Sequence, residues 1–308
     1  MMRAALTAVA LLFVATGAGI QNLPQFRSMT TRVGVDVSVL AGNVPVPDLT
    51  SADFALTDNK VPQQIEAVTL AEVPVDVTLV VDVSGSTRSQ IGEYRRDVIA
   101  IAGLLRPIDR LRVITLETAI QEILPLGPAT GSVPVERIQT GRVSSVFDGL
   151  AAALLRQSDA GRRHLIVGYT DGMDNRSLLT GDQMLEMGRT SEAVLHLILS
   201  NQMVPTIVES DKPCNWLENT SNSVLPRYPD CPRPPLLQQA VEATGGKIRF
   251  GSRMAGAFTS IFRDFLNSYV LYFQPTGVSP SGWHEVSVTV TRRGRFTVHA
   301  RRGYFGRN

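Results

Sequence analysis

The chain predicts an α/β fold, a doubly wound and mostly parallel sheet, with a small antiparallel β-domain built from the two chain ends. Two observations carry this. Between Val75 and Val270 short apolar runs alternate with helical segments, which implies crossover connections and a sheet covered on both faces. On either side of that stretch, short segments alternate apolar and polar residues and are joined by turn-rich chain, the pattern of half-buried strands.

The central elements follow in order. "VDVTLVVD" reads as a strand buried on both faces, "SQIGEYRRDVIAIAGLLR" has amphipathic helical spacing, and "RLRVITLE" and "IQEILPL" read as two strands. "SSVFDGLAAALLRQ" is a helix, "RRHLIVGYTD" a strand, "GDQMLEMGRT" a helix and "AVLHLILS" a strand. "PPLLQQAVEATGG" is a helix closed by glycines, "KIRF" a short strand, and "AGAFTSIFRDFLNSYV" begins as a helix. The flanks supply six alternating strands: "RVGVDVSVL", "DFALTD" and "PQQIEAVTL" before the core, and "YVLYFQP", "HEVSVTV" and "RFTVHARRGYF" after it. The expected organisation is a leader over residues 1–18, a β segment over 19–73, the α/β domain over 74–268, and a β segment over 269–308 that pairs with the first. Two separate β-extensions are the alternative arrangement.

With 308 residues and 44% hydrophobic content the chain can bury a substantial core. Thirty basic against 28 acidic residues leave a formal charge of +2, no field that draws nucleic acid or an anionic membrane. The arginines of "RRGRFTVHARRGYFGRN" are read as the outward charge of a surface hairpin, since no nucleic-acid module flanks them. Arg3 followed by "AALTAVALLFVATGA" and a Thr16-Gly17-Ala18 exit has the form of a secretory signal, with a retained N-terminal anchor as its alternative. No later segment is apolar enough to cross a bilayer, so the mature chain is expected outside the cytoplasm, periplasmic or secreted. The two cysteines, Cys214 and Cys231, fall in a Pro-, Asn- and Asp-rich loop. In an exported chain they are expected to form a disulfide, about 3 kcal/mol for a loop of this size, the alternative being two free thiols.

Ligands of open parallel sheets bind at the carboxyl ends of the strands. Three loops there carry oxygen donors: Asp82-Val83-Ser84-Gly85-Ser86, Ser144-Ser145, and Thr170-Asp171-Gly172. Alternation after Asp82 puts Asp82, Ser84 and Ser86 on one side, and right-handed crossovers bring all three loops to one edge. Carboxylates and hydroxyls without histidine or cysteine make a hard-oxygen set suited to Mg²⁺, Mn²⁺ or Ca²⁺. Three hydroxyls and two carboxylates leave at least one position of an octahedral ion open.

These residues resemble the von Willebrand factor A-type domain, whose metal-ion-dependent adhesion site combines a D-x-S-x-S loop, a threonine loop and a T-D-G loop. "DVSGS" matches the first loop in full and "YTDGMDNRS" looks like the third. The resemblance implies that Ser84 and Ser86 bind the cation through hydroxyls and that Asp82 and Asp171 supply charge directly or through held waters. "RVSSVFDGLAAAL" resembles the second loop with Ser144 at the threonine position, Arg142 and Val143 standing where glycines are common; Ser145 competes with Ser144. "LTSADFALTDN" and the closing "RRGYF" are similar to a group of exported bacterial A-domain-related proteins described from acidobacteria.

The reading that follows is an exported, non-enzymatic binding module whose cation captures a carboxylate on a protein or envelope partner. Its rivals are the same fold with no cation, acting as a scaffold, a module whose β-domain does the binding, and a Mg²⁺-dependent hydrolase. Against the hydrolase, Asp82 lacks a second aspartate two residues on, and there is neither a G-x-S-x-G elbow nor a P-loop.

Overall fold

A computed structural model describes residues 32–306 except 43, 71, 72, 157, 160, 173, 175 and 201–235. The expected leader over residues 1–18 and the expected Cys214–Cys231 disulfide lie outside the described residues. The chain opens with β1 (Val33–Ala41), β2 (Val44–Pro45), β3 (Phe54–Asp58), β4 (Val61–Gln63) and β5 (Ile65–Leu70). It continues through β6 (Val75–Asp82), α1 (Ile91–Leu104), β7 (Arg110–Leu116), β8 (Ile120–Pro128), α2 (Val146–Leu154), β9 (Arg163–Thr170), α3 (Gly181–Thr190) and β10 (Val194–Leu199). After these come α4 (Leu236–Ala243), β11 (Ile248–Phe250) and α5 (Met254–Leu266), then β12 (Tyr269–Phe273), β13 (Gly282–Val290), β14 (Thr297–Ala300) and β15 (Gly303–Gly306).

The middle of the chain forms a six-stranded mixed sheet in the order β11-β10-β9-β6-β7-β8. All its neighbours run parallel except β7 and β8, which pair antiparallel as a hairpin. All eight residues of β6 are buried, because helices lie on both faces. Val77, Leu79 and Val81 pack with α1 and α5 on one face, while Val80 packs with α2, α3 and α4 on the other. Small residues let α2 lie close to the sheet. A Cβ on Gly168 of β9 would stand 2.8 Å from the Leu150 side chain, and one on Gly149 of α2 would stand 2.7 Å from Leu116.

The remaining strands form two antiparallel sheets, β14-β1-β12-β5 with β2 at the side of β1, and β15-β13-β3-β4. Their inner faces share a core of Val35, Val37, Leu56, Leu271, Phe273 and Val286. These end segments thus hold nine strands and not six among the described residues. "PQQIEAVTL" is split at Gln64, so that β4 and β5 join different sheets. "RFTVHARRGYF" is split at Arg301-Arg302. Arg301 turns inward, 7% exposed, and donates from Nε to the Gly303 carbonyl and from Nη2 to the Ser191 carbonyl. The outward-charge reading of this stretch fails at that residue for this reason; Arg292, by contrast, stays at the surface, where its guanidinium pairs with Asp48 and Asp53.

Arg163, at the start of β9 and 5% exposed, ties the sheets together. It donates from Nε to Asp36 of β1 at 2.7 Å, from Nη2 to Ser268 Oγ at 2.6 Å and from Nη1 to the Phe265 carbonyl at 3.0 Å. The guanidinium also lies 3.8 Å over the Phe265 ring.

Candidate metal centre

The order of the mixed sheet reverses at β6: α1 leads from β6 outward to β7, whereas α2 returns the chain to β9 on the other side of β6. Such a switch point opens a crevice beyond the carboxyl ends of the two strands. Asp82 ends β6 and Thr170 ends β9, so both sit at its floor.

Asp82 is fully buried and every oxygen of its carboxylate is engaged. Oδ1 accepts the Ser84 N–H at 2.9 Å. Oδ2 accepts the hydroxyls of Ser144 at 2.9 Å and Thr170 at 2.7 Å. Burial pushes the Asp82 carboxyl up to about 6; hydrogen bonds from Thr170 and Ser84 pull against that, and the nearby charge of Asp171 adds to it. The Ser84 and Ser86 hydroxyls lie 3.1 Å apart, with Ser84 buried and Ser86 exposed. Four of the five predicted residues, Asp82, Ser84, Ser86 and Ser144, are therefore linked through hydrogen bonds, and Asp171 stands near enough for its charge to act on Asp82.

Between Ser144 and its competitor, it is Ser144 that reaches Asp82. Ser145 occupies the N-cap position of α2, where its carbonyl accepts the Gly149 N–H and its side chain makes no capping bond. The first two loops also touch. Gly141 donates its N–H to the Val83 carbonyl at 2.7 Å, and a Cβ on Gly85 would stand 3.1 Å from the Arg142 carbonyl.

Three residues that motif reading passes over shape the site. Thr170, seen in the sequence only as part of T-D-G, is the second hydroxyl on Asp82 and also accepts the Gly172 N–H at 3.0 Å. Asp174 supplies the missing cap of α2, its Oδ2 accepting the Phe147 N–H at 2.9 Å and the Ser177 hydroxyl at 2.5 Å. Asp148 returns the contact, accepting the N–H groups of Leu178 and Leu179, each at 2.9 Å. The T-D-G loop and the start of α2 are thus locked reciprocally, and Leu178 is left 91% exposed on top of the lock.

The donor set fits a hard cation. Each hydroxyl that gives its proton to Asp82 turns its lone pairs elsewhere, and Mg²⁺ with bonds of about 2.1 Å at right angles separates neighbouring ligand oxygens by about 3 Å, close to the Ser84–Ser86 spacing. No group of three His, Cys, Asp or Glu clusters among the described residues, so a site that depended on those ligands alone is not formed there.

No family model and no curated protein matches the chain. Solved structures do. An aerotolerance-related membrane protein from Bacteroides fragilis aligns at 14% identity and TM-score 0.41, over 62% of this chain and 98% of its own. A von Willebrand factor type A protein from Catenulispora acidiphila aligns at 13% identity and TM-score 0.45, over 82% and 73%. The manganese-loaded TRAP protein of Plasmodium vivax aligns at 16% identity and TM-score 0.42, over 80% and 97%. At such scores none of the three carries a conclusion about residues or function. On its own loops and on the switch point where they meet, the α/β unit is similar to the von Willebrand factor A-type domain.

Proposed function

We propose that the chain is an exported binding module in which Ser84, Ser86, Ser144, Thr170, Asp82 and Asp171 hold a divalent cation, Mg²⁺ or one of its relatives Mn²⁺ and Ca²⁺. The observation that carries this is the pair of hydroxyls, Ser144 and Thr170, oriented on one fully buried carboxylate beside the 3.1 Å Ser84–Ser86 pair. Of the two roles left open for Asp82, its saturated oxygens favour the indirect one: it fixes hydroxyl directions and lends charge. When bound, the cation supplies an open coordination position for a carboxylate of a protein or envelope partner. Leu178, exposed on a loop braced by Asp148 and Asp174, offers that partner an apolar contact beside the charge. Export is proposed from the N-terminal leader; among the described residues no helix is long and apolar enough to cross a membrane.

The test is a thermal shift of the full chain titrated with Mg²⁺ and Mn²⁺, beside Ser86→Ala, whose exposed hydroxyl can be removed without touching the core. A ligand that binds only the native state raises stability by RT ln(1 + [L]/Kd). A saturable rise in the wild type that is lost in Ser86→Ala supports the reading. A wild type indifferent to millimolar cation, or an equal rise in both proteins, refutes it.

A further inference from the structure

A cavity of about 480 Å³ opens between α4, β11 and β14 and shares no residue with the three cation loops. That volume is of the order of small-molecule sites, about 300–1,000 Å³. β11 and β14 are the end strands of their respective sheets, so the cavity lies between two open sheet edges. Its far wall is a glycine turn that cannot be rebuilt with side chains. Gly245 has φ +85°, and a Cβ on Gly246 would overlap the Leu195 carbonyl.

The charges around it do not balance. Glu242 is already engaged, accepting from Arg302 at 2.5 Å and from Gln238 Nε2 at 2.9 Å. Lys247 and His299 line the same space and have no carboxylate within ion-pair distance among the described residues. Both are half-buried, and Arg249, next to Lys247, is committed to Asp264 at 2.6 Å. An ammonium taken partly out of water without a counter-ion is costly, and the cost is relieved by an anion. The rest of the lining is apolar: Ile248, Val298 and Phe250, the last 41% exposed.

We propose that this cavity is a second binding site, for a small organic anion with an apolar body. Its carboxylate is held by Lys247 and His299, and its body lies against Ile248, Phe250 and Val298. The site is independent of the cation reading.

The probe is 2-naphthoate, followed by its fluorescence on titration with the full chain in EDTA, with neutral 2-naphthamide as the control for shape. The expected result is saturable binding of one naphthoate per chain, weakened about tenfold by Lys247→Gln and by Phe250→Ala, unchanged in Ser86→Ala, and at least as much weaker for the amide. Unchanged melting temperatures show that the variants are folded; should Lys247→Gln melt early, His299→Ala tests the second group that holds the carboxylate. No saturable binding at millimolar probe, equal binding of acid and amide, or equal binding by wild type and the folded Lys247 or His299 variant overturns the proposal. Loss of binding in Ser86→Ala overturns it as well, by assigning the probe to the cation loops.

Discussion

The Asp174 carboxylate accepts the backbone N–H of Phe147 at 2.9 Å, so the loop after β9 caps the helix that follows Ser144. The same carboxylate holds Ser177 through its N–H and its hydroxyl. Asp174→Ala therefore removes a helix cap and a loop brace together. It is expected to lower stability in urea by about 2 kcal/mol, with the helix-capping bond giving about half of that.

Thr170 satisfies two groups at once, Asp82 Oδ2 and the Gly172 N–H. Thr170→Val keeps the volume and removes both bonds, leaving a buried donor and a buried carboxylate short of partners. The expected cost is about 2 kcal/mol by equilibrium unfolding. The cation-dependent rise in melting temperature should shrink with it, while Ser86→Ala should lose the rise at almost no cost in EDTA.

Arg163 bridges β9 to Asp36 of β1 and to the turn before β12. Replacing it by alanine strands Asp36 and opens space against Phe265, for an expected loss of about 3 kcal/mol. Arg163→Lys keeps the charge but not the fork of donors and should recover less than half of the loss, read from the same urea curves.

Tyr304, in the closing "RRGYF", donates its hydroxyl to Asp58 Oδ2 at 2.6 Å, and His284 Nδ1 lies 2.9 Å from Asp58 Oδ1. Asp58 belongs to "LTSADFALTDN", so the two loose end motifs meet in one buried network. Tyr304→Phe removes a hydrogen bond to a buried carboxylate and should cost about 2 kcal/mol.

His164, buried in β9 beside Thr78, is pushed down to about 4, first by burial and then by the charge of Arg112. An unfolded imidazole titrates near 6.5, so between about 4 and 6.5 the unfolded state binds the extra proton. The stability this neutral imidazole contributes is complete above about pH 6.5 and is lost as pH falls toward 4, up to about 3 kcal/mol. The stability difference between wild type and His164→Gln, measured by urea unfolding across that window, should change by that order and in that direction. A difference that stays flat removes His164 from the acid response.

Much of this was legible because it depends on local pattern. The eight-residue apolar run of β6 is buried on both faces, as such a run demands, and the D-x-S-x-S spacing by itself puts Ser84 and Ser86 side by side. What the sequence hid are bonds between distant side chains and backbone. Asp174 lies 27 residues from Phe147 and Asp148 lies 30 residues from Leu178, so neither bond leaves a short-range pattern. The break in "RFTVHARRGYF" was hidden for a similar reason: the alternation runs on through Arg301, and the long-range bond that holds its guanidinium inward goes to the carbonyl of Ser191, just after α3, 110 residues away.

The pairing of β12 with β1 and β5 also sets an order of biosynthesis. β1 leaves the ribosome well before β12 and β14, the strands that lie on both its sides in the sheet. Leu49 and Tyr269, joined through a backbone N–H and a phenol, are separated by 220 residues. Long-range pairings of this kind slow folding and leave early strands with open, association-prone edges until their distant partners are made. A chain truncated before Tyr269 would lack β12 and β14 and leave β1 with only β2 beside it among the described strands, so the exposed edge of β1 persists until those later strands arrive.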